Sequence, residues 1–165
     1  MPDANPIPSR PRVPAGYGIT TQPSDAGVWD AVARKIAASR NYWIASTRPD
    51  GRPHVMPVWG VWLDGALLFS TDRASRKGRN IAANPHVVIH LESGDDVVVL
   101  EGAPREAAGA ALLAAYADAY DAKYAFRPET SDAATVTYAL RPSVAFTWLE
   151  SDYLNSATRW SFDQA

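Results

Sequence analysis

Hydrophobic and polar residues follow a pattern that predicts a protein made mainly of β-strands after residue 24. The predicted strands cover residues 42–47, 53–63, 66–71, 86–92, 97–101, 136–140, 144–148 and 158–162. Short turns separate most of them, and Asp64-Gly65 is a typical two-residue hairpin turn. Successive strands joined by short turns, with few helices, indicate an antiparallel barrel and not a parallel nucleotide-binding sheet.

Three helices are predicted among these strands. The first begins at Ser24 or Asp25, either of which can cap a helix whose apolar residues recur every four positions. The second covers residues 75–83 and ends before Pro85, because a residue that precedes proline avoids helical angles. The third is the alanine-rich segment 107–120.

Residues 1–24 differ from the rest because they contain six of the 13 prolines and few large apolar residues. Proline at this density prevents a helix and interrupts the hydrogen bonding of a sheet. We therefore predict a proline-rich N-terminal arm at 1–24 and one split-barrel domain at 25–165. The sequence leaves open whether the arm is disordered or lies across a partner subunit.

Composition and charge exclude several classes of protein. The 16 basic and 18 acidic residues give a net charge of −2, which argues against a nucleic-acid partner. Because no apolar run reaches the length of a membrane helix and the N-terminus does not resemble a signal peptide, we expect no membrane partner and a cytoplasmic protein. Cysteine is absent and the three histidines are scattered, so we predict no metal site.

Basic residues are concentrated between the predicted strand 66–71 and the helix that follows. Arg73, Arg76, Lys77 and Arg79 make up a quarter of the 16 basic groups, and they have the hydroxyl residues Ser70, Thr71 and Ser75 beside them. A helix start offers unpaired backbone amides, and arginine and lysine bind phosphate well. The segment therefore predicts a phosphate site, although a solvated cationic turn would show the same pattern.

The predicted strand 53–63 is apolar on both faces, whereas a barrel strand is normally polar on one. One face carries Val55, Pro57, Trp59, Val61 and Leu63, and the other carries Met56, Val58 and Trp62. Pro57 lacks an amide donor, and Gly60 permits a close approach to the backbone. These features suit a flat aromatic ring lying along the strand, with its phosphate at the basic turn. The alternative is that Trp59 and Trp62 belong to the core or to a dimer interface.

Five stretches of the sequence, in this order, resemble one known family. They are Arg52-Pro53-His54-Val55-Met56-Pro57-Val58-Trp59, Leu68-Phe69-Ser70-Thr71, Ser75-Arg76-Lys77, Asn80 to Asn84-Pro85, and Thr158-Arg159-Trp160-Ser161-Phe162. Together they are similar to the split β-barrel family of pyridoxamine 5'-phosphate oxidase, and especially to its flavin- and deazaflavin-dependent branch. The resemblance implies a six- to seven-stranded antiparallel split β-barrel with flanking helices, and a homodimer with cofactor at the subunit interface.

The resemblance also implies which residues bind the cofactor. Residues matching positions that contact the cofactor phosphate are Ser70, Thr71, Ser75, Arg76 and Lys77. Residues matching the strand beside the ring are Pro57, Val58 and Trp59, and we add Gly60 and Asn80 to the predicted site. The Arg-Pro-His strand and the Ser-Arg-Lys helix look most like members that use the deazaflavin coenzyme F-420, with FMN as the second choice.

The sequence departs from the oxidase itself at one motif. The oxidase pattern Arg-Gln-Val-Arg-Val-Glu-Gly is replaced by Val-Val-Val-Leu-Glu-Gly at residues 97–102, which argues against oxidation of pyridoxamine phosphate. We expect an oxidoreductase in which reduced F-420 passes hydride to a small electron-poor acceptor, such as an enone, a quinone or a tetrapyrrole. Tyr42, Tyr138, His54 and solvent are all open as proton donors, so no catalytic residue is assigned. The alternatives are an FMN-binding oxidase-like protein and a flavin or haem carrier without turnover.

Overall fold

The computed structural model describes residues 6–19 and 29–163. Its strands are β1 (Ile7–Ser9), β2 (Tyr42–Thr47), β3 (Pro53–Val58), β4 (Val61–Leu63), β5 (Ala66–Asp72), β6 (Val87–His90), β7 (Asp96–Gly102), β8 (Arg105–Glu106), β9 (Thr135–Leu140), β10 (Val144–Leu149) and β11 (Thr158–Ser161). Its helices are α1 (Trp29–Ala38), α2 (Arg76–Ala83), α3 (Ala110–Tyr124) and α4 (Tyr153–Ser156), with short 3-10 turns at Ala15–Tyr17 and Glu150–Asp152.

The strands form two antiparallel sheets. The seven-stranded sheet has the order β1-β11-β10-β7-β6-β2-β3, and the four-stranded sheet has the order β4-β5-β9-β8. The Asp64-Gly65 hairpin joins β4 to β5, and both turn residues have positive φ angles of 47° and 72°, as a type I′ turn requires. The predicted class is therefore confirmed: the protein is mainly β, with antiparallel sheets and flanking helices in a split-barrel arrangement.

The main core lies between the facing surfaces of the two sheets. Tyr42, Ile44 and Trp160 from the larger sheet pack with Phe69 of the smaller one, and all four are fully buried. Helix α1 adds three buried residues, which are Trp29, Val32 and Ile36. A second cluster lies under α3, and there Tyr116 and Tyr124 pack against β4 and β5. The predicted helix cap at Ser24 or Asp25 lies outside the described residues.

The prediction of one long strand at 53–63 is wrong, because the chain changes sheets in the middle of it. Strand β3 pairs with β2 in the larger sheet, whereas β4 pairs with β5 in the smaller sheet. At the junction, a Cβ atom on Gly60 would lie 2.8 Å from the carbonyl oxygen of Leu68. The glycine is needed for this close crossing within the chain. Strand β4 is covered on both faces, because Trp62 contacts the main core while Val61 and Leu63 contact the cluster under α3. The exposed face of β3 adds Val55 and Pro57, so the sequence is apolar on both faces.

Strand β3 is consequently an edge strand. It pairs with β2 and, within the described part of the chain, with no other strand. Its residues Val55, Met56 and Pro57 are exposed. An edge strand tolerates proline, which cannot donate a hydrogen bond to a neighbouring strand.

The predicted arm contains a strand that the sequence analysis did not predict. Strand β1 pairs antiparallel with β11, so that Pro8 lies opposite Trp160. The guanidinium of Arg10 then donates hydrogen bonds of 2.7 Å to the carbonyl oxygens of Asn155 and Ala157. Residues 7–10 are thus attached to the larger sheet, while 1–5 and 20–24 of the predicted arm lie outside the described residues. Among the helices that the structure describes, none combines the length and apolar character needed to span a membrane.

Candidate cofactor-binding site

The turn between β5 and α2 begins the helix as the sequence predicts. The backbone amide of Gly78 donates a hydrogen bond of 3.0 Å to Ser75 Oγ, which caps α2. The hydroxyls of Thr71 and Ser75 are 3.0 Å apart and share a hydrogen bond. The carboxylate of Asp72 accepts a hydrogen bond from the amide of Ala74. These bonds fix the first turn of α2, which carries Arg76 and Lys77.

Gly78 lets this first helical turn lie directly on the preceding chain. A Cβ atom at Gly78 would be 2.5 Å from the carbonyl oxygen of Asp72 and 2.7 Å from that of Arg73. Both contacts are with backbone atoms, which cannot rotate out of the way. The basic residues of α2 are therefore held at a fixed position beside the end of β5.

Three cations converge beside His54. Arg48, Lys77 and Arg76 all contribute to lowering the pKa of His54, after burial as the main cause. Burial also lowers the pKa of Lys77. Within residues 6–19 and 29–163, none of these three cations forms an ion pair or a side-chain hydrogen bond. We call Arg48, His54, Arg76, Lys77 and Asn80 the anion cluster.

Asp50, an acidic residue close to this cluster, is already paired. The Asp50 carboxylate accepts hydrogen bonds from the Arg52 guanidinium at 2.7 and 3.0 Å. These bonds are the main reason why the pKa of Asp50 is lowered, and Arg48 and Arg76 add smaller electrostatic effects. The anion cluster therefore has an excess of positive charge, which favours a negatively charged ligand.

Three buried polar atoms in the anion cluster have no hydrogen-bond partner among the described residues: Arg48 Nε, His54 Nδ1 and Asn80 Oδ1. Asn80 is completely buried, and its Nδ2 donates a hydrogen bond of 3.1 Å to Ser46 Oγ. Ser46 is also the register partner of His54 across β2 and β3, so the unpaired atoms lie in one place. Buried polar groups are nearly always hydrogen-bonded. Arg48 Nε and the three cations therefore fit an anionic group such as a phosphate, whereas Asn80 Oδ1, an acceptor, fits a hydroxyl donor beside it.

An apolar strand extends from the anion cluster. Met56 and Val58 lie on the same face of β3 as His54, because side chains alternate along a strand. Met56 is 51% exposed, and Pro57 on the other face is also exposed. From His54 to Trp59 the backbone extends about 17 Å. The exposed apolar surface of β3 therefore begins beside the anion cluster.

The structure separates the predicted site residues into groups. It brings Thr71, Ser75, Arg76, Lys77 and Asn80 to the start of α2, and it places Pro57 and Val58 on β3.

Ser70 points the other way: its hydroxyl lies 2.9 Å from those of Tyr116 and Thr137, under α3. Trp59 and Gly60 also face α3, where the Trp59 ring stacks on Tyr124 and the Gly60 amide donates to the Tyr124 hydroxyl. A role for these three residues in cofactor binding stays a prediction.

Sequence reasoning missed Arg48 and included one basic residue that points elsewhere. Arg48 directly follows β2 and continues the series of every second residue to which the buried Ile44 and Ser46 belong. Because side chains alternate along a strand, this spacing could have indicated that Arg48 faces the same side. Arg73, by contrast, forms two hydrogen bonds of 2.7 Å with Glu106 on β8. That contact fully accounts for Arg73 as a surface ion pair.

The structure thus combines a split β-barrel fold with an anion cluster beside an apolar edge strand. Sequence comparison agrees, since the pattern of the pyridoxamine 5'-phosphate oxidase family matches residues 28–149. The chain belongs to that family, which confirms the resemblance described above.

Two curated relatives are pyridoxine/pyridoxamine 5'-phosphate oxidases. The Gluconobacter oxydans protein is 41% identical over 76 residues, which cover 44% of this chain and 38% of the relative. The Chromobacterium violaceum protein is 34% identical over 108 residues, which cover 63% of this chain and 47% of the relative. The chain thus spans less than half the length of either relative.

A solved structure named as an F420 reductase has a similar fold. It superposes with a TM-score of 0.55 at 24% identity, and the match covers 68% of this chain and 94% of that one. At this level of identity the likeness concerns the fold alone.

Proposed function

We propose that the protein is an oxidoreductase that uses F-420, or FMN as the second candidate, to reduce a small electron-poor organic molecule. The observation that carries the proposal is the anion cluster at the end of the exposed apolar strand β3. Among the described residues, its three cations have no ion pair and three of its buried polar atoms have no hydrogen-bond partner. Both cofactors combine a planar ring with a phosphate-bearing tail, which matches this pairing of features.

In this proposal the anion cluster and strand β3 have separate tasks. Arg48, Arg76 and Lys77 hold the phosphate, assisted by the positive end of α2. Asn80 Oδ1 accepts a hydrogen bond from a hydroxyl of the polyol chain. Met56 and Val58 support the ring. Two charge-assisted hydrogen bonds to the phosphate contribute about 3–6 kcal/mol.

The bound cofactor supplies the hydride, and the chain supplies binding and orientation. His54 belongs to the anion cluster, so in this proposal it lies beside the phosphate and not beside the ring that supplies the hydride. Burial raises the pKa of both Tyr42 and Tyr138, and the Tyr42 hydroxyl is already bonded to the carbonyl oxygen of Ile36. Solvent is therefore the proton source in this proposal, and a cytoplasmic location stays a prediction.

We further propose that the chain acts as a homodimer with the cofactor at its interface. The outer face of the larger sheet carries a row of register partners, Trp43, His90, Val99 and Phe146, which are all partly exposed. Strand β3 borders both this apolar face and the anion cluster. Sedimentation should give a dimer, and Val99→Lys at the centre of the face should give a folded monomer. A monomeric wild-type chain would contradict the dimer.

The FMN alternative has its own support. The family and both curated relatives are named for pyridoxamine 5'-phosphate oxidase activity. The substituted motif within β7, where Val97 stands in place of the glutamine, still argues against that substrate.

Titrating the purified protein separately with reduced F-420, FMN and haem tests the proposal. A quinone or enone is then added to each complex. Tight binding of F-420 with acceptor-dependent oxidation is the expected result, and the same result with FMN would favour the second candidate. Tight binding without oxidation would indicate a carrier. Failure to bind either flavin-type cofactor would contradict the proposal.

A further inference from the structure

Four aromatic side chains form a surface at the end of β3. The Trp59 ring, which is 37% exposed, stacks on Tyr124 with ring centroids 4.7 Å apart and planes within 3°. Tyr120 lies 4.7 Å from Tyr124 and 6.3 Å from Phe126, which is 56% exposed. We call Trp59, Tyr120, Tyr124 and Phe126 the aromatic surface.

Hydrogen bonds hold this surface rigid. The Tyr124 hydroxyl lies 2.7 Å from the Arg40 carbonyl oxygen, and it accepts a bond from the Gly60 amide. Because Gly60 joins β3 to β4, Tyr124 ties the aromatic surface to the sheet junction. The Trp59 ring is thus oriented in advance, which reduces the entropy cost of stacking a ligand on it.

The aromatic surface carries positive charge that no carboxylate of residues 6–19 or 29–163 balances with an ion pair. The Arg40 guanidinium carbon is 5.1 Å from the Trp59 ring centroid, and Arg40 has no ion pair within the described ranges. Lys123 Nζ lies 5.3 Å from the Tyr124 ring and donates to the carbonyl oxygens of Ala37 and Gly60. Burial lowers the pKa of Lys123 to about 8.

We infer that the aromatic surface and Arg40 bind a planar aromatic molecule that carries a carboxylate or sulfonate group. A flat ring matches the exposed Trp59, and the anionic group matches the guanidinium of Arg40. Trp59 directly follows β3 but faces α3, so this site is separate from the face of β3 that carries Met56 and Val58. This second site is independent of the proposed cofactor site.

Calorimetric titration of the cofactor-free full chain tests the binding step with two probes of the same ring size. They are 2-naphthoate, which is anionic, and 2-naphthol, which is neutral at pH 7. Wild type should bind naphthoate about tenfold more tightly, as one charge-assisted hydrogen bond predicts. Arg40→Gln should remove this difference while naphthol binding stays unchanged, and Trp59→Leu should weaken both probes.

Two control variants remove a tryptophan and an arginine that lie outside the aromatic surface. Trp148→Leu deletes a tryptophan that packs edge-on against Tyr153, and Arg105→Gln deletes an exposed arginine on β8. Neither should change naphthoate binding. Equal affinity for the two probes, no saturable binding, or equal losses in the control variants would overturn the inference. Conversion of a dimer to a monomer by Trp59→Leu would overturn it as well, because the surface would then be a subunit interface.

Titrating the same proteins with F-420 and FMN separates this inference from the proposed function. Arg40→Gln should leave cofactor affinity unchanged. Absence of naphthoate binding, with normal cofactor binding in wild type, overturns the aromatic ligand site and leaves the proposed function standing. Naphthoate binding without any cofactor binding supports the ligand site and contradicts the proposed function.

Discussion

Replacing Lys77 with methionine removes one charge from the anion cluster and keeps a side chain of similar length. Lys77 is partly buried, and its ammonium has no ion pair within the part of the chain that the structure describes. Its pKa is lowered by burial, so without an anion the charge is unfavourable in the folded state. The same charge should be favourable once a phosphate binds.

The substitution should therefore change stability and binding in opposite directions. A lysine whose pKa falls on folding destabilises the folded state at neutral pH, and this penalty disappears as the pH rises through the unfolded value. Lys77→Met should keep or raise the stability of the cofactor-free protein at pH 7. It should weaken cofactor binding by roughly 10- to 150-fold, because a charge-assisted hydrogen bond contributes about 1.5–3 kcal/mol.

Fluorescence titration with F-420 and FMN measures the binding, and thermal denaturation without cofactor measures the stability. Arg79→Gln is the matched control, because Arg79 lies exposed on the same helix and its loss changes the net charge equally. Unchanged affinity in Lys77→Met, or an equal loss in Arg79→Gln, would refute the assignment of Lys77 to the phosphate.

Three further predictions concern the residues around the site. Gly78→Ala should lower the free energy of unfolding by about 1–3 kcal/mol in urea titrations, because the new Cβ atom would lie 2.5 Å from the carbonyl oxygen of Asp72. A more stable variant, as is usual when alanine replaces glycine in a helix, would contradict this packing. Tyr116→Phe should lower the free energy of unfolding by about 1 kcal/mol, because the hydrogen bond to Ser70 is lost, and it should leave cofactor affinity unchanged. A tenfold loss of cofactor affinity would mean that Ser70 acts in the cofactor site. The pKa of His54, followed by NMR, should lie below 6.5 in the free protein. His54 should therefore destabilise the folded state as the pH drops below 6.5. Inorganic phosphate should raise this pKa. A pKa above 6.5, or no response to phosphate, would argue against the anion cluster.

Local signals in the sequence were sufficient for the turn that carries the site. Asp64-Gly65 specifies a hairpin because both residues tolerate positive φ, and Ser75 caps α2 through its own side chain. The Asn84-Pro85 pair ends the helix for an equally local reason. Each of these features depends on a few neighbouring residues, and the structure confirms all of them.

Features that depend on packing between distant elements could not be predicted in this way. The change of sheet at Gly60 depends on the carbonyl of Leu68, which approaches only after β4 and β5 have paired. Arg48 joins the anion cluster because β2 packs against α2, a contact absent from any local pattern. Ser70 and Thr71 are neighbours in sequence, but they lie on opposite faces of β5.

The most direct test of the account compares cofactors with and without their phosphate. The two matched pairs are FMN with riboflavin, and F-420 with the phosphate-free 8-hydroxy-5-deazariboflavin. For the cofactor type that the protein uses, we predict that the phosphorylated member binds at least about a hundredfold more tightly, because two or more charge-assisted hydrogen bonds are gained. Equal affinities within both pairs would contradict the assignment of the cluster around Arg48, Arg76 and Lys77 as a phosphate site.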